Sequence, residues 1–140
     1  LKDTFLVMNG DLLTDFDFRK MLNNHRKMKK ISTLAVYRKE VKIDLGVVKL
    51  DRHNNVEDYI EKPVYHYDVS TGIYLFEPEI LKYLKKGVRL DLPELIQELI
   101  QRGIKVNTYR FKGYWLDIGR HEDYEKASIE YEKDSTRFLK

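Results

Sequence analysis

The stretch that decides the fold is TFLVMNGDLL, residues 4–13. Residues 4–8 form a short apolar run, which is typical of a strand buried on both faces of a sheet. Asn9 and Gly10 end the strand with residues that favour a loop, and Asp11 follows directly. The stretch therefore predicts a central strand that delivers a carboxylate at its carboxyl end.

The segment after this strand predicts a helix and then a second strand. The helix is expected from Asp17 to about Lys29, with Asp15 or Asp17 as its N-cap. Residues 31–37 are rich in apolar and β-branched side chains and are predicted to form the next strand. A strand–helix–strand unit of this kind favours parallel pairing between its two strands.

The rest of the chain continues the alternation. Two strand-like runs flank RHNN (residues 52–55), and since Asn tolerates a left-handed turn, they predict an antiparallel hairpin. The predicted strands are residues 45–51, 56–61, 68–76, 104–111 and 114–116, and the predicted helices are residues 78–86, 92–102 and 122–132. We therefore expect an α/β fold with a mixed, mainly parallel sheet flanked by helices and with an antiparallel hairpin.

Composition excludes several classes of protein. The chain has 140 residues, of which 42% are apolar and 35% charged, as in a globular domain with one core. A net charge of +3 does not suggest a nucleic-acid partner, and the absence of cysteine excludes disulfides and thiolate zinc sites. There is no apolar run of membrane-spanning length and no signal-peptide pattern, so no membrane is expected and the cytoplasm is the expected location.

Two carboxylates are the first candidates for chemistry. Ligand sites in open α/β sheets lie beyond the carboxyl ends of strands, and both Asp11 and Asp117 follow strands and adjoin or neighbour a glycine. Carboxylates from two strand ends can share one Mg²⁺, which prefers a few carboxylates together with phosphate oxygens and water. The structural alternatives are that Asp11 caps its own turn and that Asp117 caps the last helix.

A lysine and two glycines are weaker candidates. Pro63 should bias Lys62 towards an extended backbone, and a lysine held there could neutralise a phosphate. Gly46 and Gly72 lie within predicted strands, where a glycine marks either close packing or close approach of a ligand. The residue pair Asp15 and Asp17 has the Asp-x-Asp spacing of a glycosyltransferase metal motif, but it is better interpreted as a helix start.

Five segments in this order resemble the sugar-phosphate nucleotidylyltransferases, also called nucleoside-diphosphate-sugar pyrophosphorylases. They are FLVMNGDLLT (5–14), LGVV (45–48), YIEKP (59–63), STGIY (70–74) and YWLDIGR (114–120). The resemblance covers nearly the whole chain. It is greatest to the branch that uses mannose 1-phosphate or related sugars with GTP, which includes members fused to regulatory CBS domains.

The resemblance implies a Rossmann-like fold and a reaction in which a nucleoside triphosphate and a sugar 1-phosphate give a nucleotide sugar and pyrophosphate. It implies three catalytic residues: Asp11 and Asp117 would hold Mg²⁺, and Lys62 would pair with the sugar phosphate. Catalysis of this kind depends mostly on positioning and on neutralising charge.

The same resemblance implies a set of residues around the sugar. Glu61 would accept hydrogen bonds from sugar hydroxyls, and Gly46 would offer its backbone N–H. Ser70, Thr71 and Gly72 would line the pocket. Many relatives carry Asn where this chain has Ser70.

The glycine-rich triphosphate loop and the base-reading segment with which the family begins do not occur in these residues. We therefore expect residues 1–140 to be a partial nucleotidyltransferase domain, inactive alone, with an unpaired strand edge near residues 6–8 that favours a homo-oligomer. An alternative is a non-catalytic regulatory or scaffold homologue, and another is a glycosyltransferase of similar architecture.

Overall fold

Eight strands and three α-helices make up residues 1–139, which are the residues described by the computed structural model. The strands are β1 (Phe5–Met8), β2 (Leu12–Thr14), β3 (Ser32–Lys42), β4 (Val47–Leu50), β5 (Val56–Ile60), β6 (Val64–Phe76), β7 (Asn107–Phe111) and β8 (Trp115–Asp117). The helices are α1 (Phe18–Met28), α2 (Leu92–Gln101) and α3 (His121–Lys133), with 3₁₀ helices at Pro78–Tyr83 and Ser135–Arg137. Among the described residues, every helix is too short or too polar to cross a membrane.

The chain divides into two units. The first comprises Leu1–Tyr37 and Ser70–Lys140, and the second comprises Arg38–Val69. The boundaries fall inside β3 and β6, so each of these long strands contributes residues to both units.

A four-stranded sheet with the order β1-β6-β3-β7 organises the first unit. β3 pairs with β7 in parallel, whereas β1 pairs with β6 antiparallel. The N–H of Glu77 donates to the Ile31 carbonyl and the Thr71 hydroxyl donates to the Ala35 carbonyl, which makes β6 antiparallel to β3. β1, β3 and β7 therefore run one way and β6 the other, which confirms the predicted mixed α/β fold. Among the described strands only β3 and β7 pair in parallel, so the expectation of a mainly parallel sheet is wrong: β6 lies between β1 and β3 and runs against both.

The predicted pairing of the first two strands is wrong in one respect. β1 and β3 run in the same direction, but β6 lies between them. Sequence patterns near residues 4–37 carry no information about a strand that follows the hairpin, at Val64–Phe76.

Alternation of side chains along β6 builds a core on each face of the sheet. Ile73 and Leu75 pack in one cluster that includes Met21 of α1. Tyr74 and Phe76 pack on the opposite face, in a cluster that includes Leu95 and Leu99 of α2 and Ile80 of the first 3₁₀ helix. Because successive side chains of a strand point to opposite faces, one strand anchors helices on both sides.

β1 is buried on one face only, contrary to the expectation from its apolar run. Phe5 and Val7 pack against the α2-side cluster, whereas Leu6 and Met8 are 42% and 40% exposed. The reason is that the cluster on the α1 side does not include these two side chains of β1, which is the edge strand within the described residues. An apolar run does not distinguish an edge strand with one exposed face from a central one.

Helix α1 follows its predicted limits. Asp17 is the N-cap and accepts a hydrogen bond from the Lys20 N–H at 3.0 Å, and Lys29 ends the helix in a left-handed conformation. Its inward face carries Met21 and His25, which are 0% and 1% exposed. The backbone bond from Lys20 lowers the pKa of Asp17 below its ordinary value of 3.8.

His25 links α1 to β3 and to Glu77, the residue that follows β6, through a polar network. Its Nδ1 lies 2.7 Å from the Thr33 hydroxyl and its Nε2 lies 2.8 Å from Glu77 Oε1. The Thr33 oxygen also accepts from Asn107 Nδ2 at 3.1 Å, so its own proton is available for His25 Nδ1. Nε2–H then donates to Glu77, and the buried histidine has both ring nitrogens satisfied.

The predicted helix at residues 78–86 is shorter and of another type. It is a 3₁₀ helix over Pro78–Tyr83, in which only Ile80 is fully buried, and it ends at Leu84. So little buried apolar surface does not sustain an α-helix. By contrast α2 matches its prediction, with a capping box formed by Asp91 and Glu94 at its start.

The second unit contains the predicted hairpin. β4 and β5 pair antiparallel, with Val47 opposite Ile60 and Val48 opposite Tyr59, and with an irregularity at Lys49/Leu50. Asn54 supplies the left-handed residue of the turn at φ 64°. The Asn55 N–H bond to the Asp51 carboxylate lowers the pKa of Asp51.

Candidate functional site

Strands β2 and β8 bring the segments of the two candidate carboxylates together. Leu12 lies opposite Asp117 in this antiparallel pair. Beyond the end of the ladder, the Ile118 N–H donates to the Asp11 carbonyl at 2.8 Å. The predicted meeting of two distant strand ends is present at the level of the backbone.

Neither carboxylate has a structural task within residues 1–139. The side chains of Asp11 and Asp117 are exposed and have neither a hydrogen-bond nor an ion-pair partner among those residues. Asp11 does not cap its own turn, and the N-cap of α3 is Arg120 rather than Asp117. Both structural alternatives are therefore wrong, and the two carboxylates are available to a ligand.

A cleft of about 430 Å³ in the first unit joins Asp117 to the STGIY segment. Its lining residues come from four places in the chain: Asn9, Ser70, Thr71, Gly72, Tyr74, Leu90, Asp91, Leu92, Pro93 and Asp117. The cleft thus collects three residues predicted to line the sugar pocket and one predicted metal ligand. Asp11 lies outside this lining, on the segment that is hydrogen-bonded to Ile118.

The indole of Trp115 fixes β8 against β6 at this cleft. Its Nε1–H donates to the Thr71 carbonyl at 3.0 Å, two residues before Asp117. Thr71 is 1% exposed, and its hydroxyl donates to the Ala35 carbonyl at 3.0 Å. Thr71 therefore lines the cleft with its polar groups already engaged, and its contribution is to hold Trp115 and the strand.

Ser70 and Gly72 contribute to the cleft in different ways. The Ser70 hydroxyl lies 3.2 Å from the Tyr74 hydroxyl, and the pair offers two adjacent hydroxyl groups. Gly72 has φ +74°, and a Cβ there would lie 2.7 Å from the Asn9 side-chain nitrogen. The glycine is therefore required both by the left-handed backbone and by the packed Asn9 side chain.

Gly46 and Glu61 face each other in the second unit. Gly46 precedes Val47 and Glu61 follows Ile60, and these two strand residues are paired. A Cβ at Gly46 would overlap the hydroxyl end of the Tyr59 ring. Close packing by the Tyr59 ring thus explains why position 46 requires a glycine. The expected sugar contact of its N–H is a proposal.

Lys62 contradicts the backbone expectation drawn from the proline that follows it. Its φ is +44°, in the left-handed region rather than the extended one. The residue forms the bend between β5 and β6, where Pro63 is buried and its carbonyl accepts the Ile43 N–H at 3.1 Å. The demands of this connection override the local preference of a residue before proline.

The first unit offers two carboxylates of the kind that a hard divalent cation accepts as ligands, and the magnesium site stays a prediction. Asp11 and Asp117 supply two unpartnered carboxylates on hydrogen-bonded segments, and Mg²⁺ uses one or two carboxylates when phosphates and water complete its shell. Groups of three or more His, Cys, Asp or Glu side chains able to hold a metal are absent from the described part of the chain.

Asp15 and Asp17 do not form an Asp-x-Asp metal motif. One oxygen of Asp15 accepts the Tyr114 N–H at 2.8 Å and the other accepts Arg137 Nε at 2.6 Å. Asp17 caps α1. Both carboxylates are structural, as the interpretation of this segment as a helix start predicts.

Three polar residues of the cleft could not be recognised as site residues from sequence patterns. Asn9, Tyr74 and Asp91 line the cleft. Their sequence contexts indicate a loop residue, a core residue and a helix cap, respectively. The sequence predicts that Asp91 caps α2, but it does not indicate that the start of this helix borders the cleft.

A comparison with protein families matches the nucleotidyl transferase family over residues 1–134. The chain belongs to the nucleotidyl transferase family. The order of the motifs and the α/β fold agree with that membership, and the resemblance inferred from the sequence is confirmed.

Relatives in this family are named for transfer to sugar 1-phosphates. A UTP–glucose-1-phosphate uridylyltransferase from Synechocystis is 33% identical over 132 residues, which is 89% of this chain and 34% of the relative. The catalytic subunit beta of mannose-1-phosphate guanylyltransferase from Drosophila melanogaster is 28% identical over 124 residues, covering 87% and 33%. The chain spans about a third of the length of these curated relatives.

Solved structures share the fold. A candidate glucose-1-phosphate thymidylyltransferase from Bacillus anthracis, in complex with sucrose, superposes with a TM-score of 0.65 at 21% identity, covering 92% of this chain and 55% of that one. HddC from Yersinia pseudotuberculosis, complexed with GMP-PN, gives a TM-score of 0.57 at 20% identity, with 92% and 56% coverage.

Proposed function

We propose that this chain supplies the acceptor side of a sugar-1-phosphate nucleotidylyltransferase. The full-length protein would transfer a nucleotidyl group from a nucleoside triphosphate to a sugar 1-phosphate and release pyrophosphate. The observation that carries the proposal is that Asp117 borders the same cleft as Ser70 and Gly72, while its strand is hydrogen-bonded to the Asp11 segment. Family membership gives the reaction class.

The proposed reaction is an in-line displacement. A phosphate oxygen of the sugar 1-phosphate forms a bond to the α-phosphorus of the triphosphate, and the bond from that phosphorus to the bridging oxygen of pyrophosphate breaks. Both reactants are anionic, so the chain has to position them and offset their repulsion. Mg²⁺, held by Asp11 and Asp117, would neutralise charge on the reacting phosphates.

The chain's own residues would bind and orient the sugar phosphate. The Ser70 and Tyr74 hydroxyls, 3.2 Å apart, offer hydrogen bonds to sugar hydroxyls in the cleft. Lys62 would offset phosphate charge as a compact cation, and Glu61 would accept from sugar hydroxyls. A backbone N–H at Gly46 would add a further donor.

The choice of nucleotide and sugar is based on the resemblance of the motifs to one branch of the family. We propose GTP and mannose 1-phosphate as the substrates, with support from relatives such as the Drosophila guanylyltransferase subunit. The Synechocystis relative uses UTP and glucose 1-phosphate according to its name, which makes this pair the comparison to run.

The test is an assay of the full-length protein with Mg²⁺, a nucleoside triphosphate and a sugar 1-phosphate, in which pyrophosphate and the nucleotide sugar are both quantified. We expect equal amounts of the two products, with GTP and mannose 1-phosphate the best pair, and no product from the 140 residues alone. A folded full-length protein that forms neither product with any pair of substrates would contradict the proposal and would favour a non-catalytic homologue.

A further inference from the structure

Tyr59 makes a specific contact with a residue that the proposed function uses. Its hydroxyl donates to Glu61 Oε2 at 2.9 Å. The two residues are two positions apart along β5 and its continuation, so their side chains leave the same face of the hairpin. The contact therefore follows from the geometry of the strand.

Gly46 gives the ring room to reach that position. Tyr59 lies opposite Val48, and Gly46 lies two residues before Val48 on the same face. A Cβ at Gly46 would lie 3.0 Å from one ring carbon and would overlap the ring carbon that bears the hydroxyl. The ring thus leans across the neighbouring strand towards Glu61, over a position that only glycine leaves open.

Glu61 would otherwise be free to rotate. The residue is exposed, and its side chain has three rotatable bonds whose freedom has to be lost when a ligand is bound. A hydrogen bond from the tyrosine selects one orientation in advance, and preorganisation of this kind raises affinity without adding a contact to the ligand. A phenylalanine would keep the ring and lose this bond.

We propose that Tyr59 is a positioning residue that orients the Glu61 carboxylate for the hydroxyl groups of the sugar 1-phosphate. This inference rests on the proposed function, since it concerns the contact with sugar hydroxyls proposed for Glu61. Tyr59 acts through Glu61 and has no part in the transfer of the nucleotidyl group.

The experiment compares Tyr59→Phe with wild-type full-length protein. We expect the KM for the sugar 1-phosphate to rise roughly tenfold, which is the effect of losing one hydrogen bond to a charged group, with kcat and the KM for the triphosphate nearly unchanged. Tyr67→Phe is the matched control, because Tyr67 is another exposed tyrosine of the same unit, 54% exposed against 60% for Tyr59. It should leave all three constants unchanged.

A double-mutant cycle separates positioning from general loosening of the hairpin. In the Glu61→Ala background, Tyr59→Phe should have no further effect on the KM for the sugar 1-phosphate. An equal rise in that background, a rise in both KM values, or no rise in an active enzyme would overturn the inference while leaving the proposed function intact. Absence of transfer by the wild-type protein would instead overturn the proposed function and this inference with it.

Discussion

The backbone N–H of Ile118 donates to the carbonyl oxygen of Asp11 at 2.8 Å, and it joins two segments from opposite ends of the chain. Beside this bond, Leu12 pairs with Asp117, and Trp115 ties the same strand to Thr71. These three contacts to backbone groups thus fix the backbone positions of the two residues that carry the candidate carboxylates. The two carboxylates themselves have no hydrogen-bond or ion-pair partner among residues 1–139.

Replacement of Gly72 by alanine should destabilise the protein. Its φ of +74° is unfavourable for an L-residue, and the new Cβ would press on the Asn9 side chain. We expect the free energy of unfolding to fall by about 1–3 kcal/mol, measured by urea denaturation. Gly10→Ala is the control, since a Cβ there meets nothing within 4 Å, and it should change stability little. Equal losses for the two variants would contradict the account of Gly72.

Removal of the buried imidazole should be costly. His25→Ala leaves the Thr33 hydroxyl without its short contact and opens a cavity beside α1, so we expect a loss of about 2–4 kcal/mol in the free energy of unfolding. Arg26→Ala, at the neighbouring exposed position of the same helix, serves as the control. If the two variants unfolded at the same urea concentration, the network would have no role in stability.

The N-cap of α1 should make stability depend on pH. The hydrogen bond from Lys20 lowers the pKa of Asp17 in the folded protein, so the contribution is complete above 3.8, the ordinary value, and is lost as the pH falls below it. The urea midpoint of Asp17→Ala should therefore lie below that of the wild type at neutral pH and approach it in strong acid. Asp17→Ser keeps a capping oxygen without a charge and should remove the pH dependence but not the cap. A wild-type advantage that persisted unchanged in acid would contradict this assignment.

Much of the fold could be predicted from the sequence because its signals are local. The cap at Asp17, the turn at Asn54 and the capping box at Asp91 each determine an element through contacts within a few residues. The strand that pairs with β1 could not be predicted, because it is β6, which follows the hairpin in the chain, rather than the neighbouring strand β3.

The candidate site likewise has features that the sequence indicates and features that depend on the tertiary structure. Asp11 and Asp117 were identifiable as carboxylates at strand ends, but only the tertiary structure shows that neither is consumed by a turn or a cap. The engaged hydroxyl of Thr71 and the left-handed backbone of Lys62 depend on long-range contacts that residue patterns do not encode.

The central claim is that Asp11 and Asp117 act together on the reacting phosphates. The measurement that tests it most directly is the Mg²⁺-dependent rate of pyrophosphate release by the full-length protein carrying Asp11→Asn or Asp117→Asn, with Asp3→Asn as an exposed control that makes the same change of charge. Each site variant should lose roughly 10²-fold or more in rate while its unfolding transition is unchanged, because neither carboxylate has a structural partner. Wild-type rates in a correctly folded Asp11→Asn or Asp117→Asn variant would contradict the account.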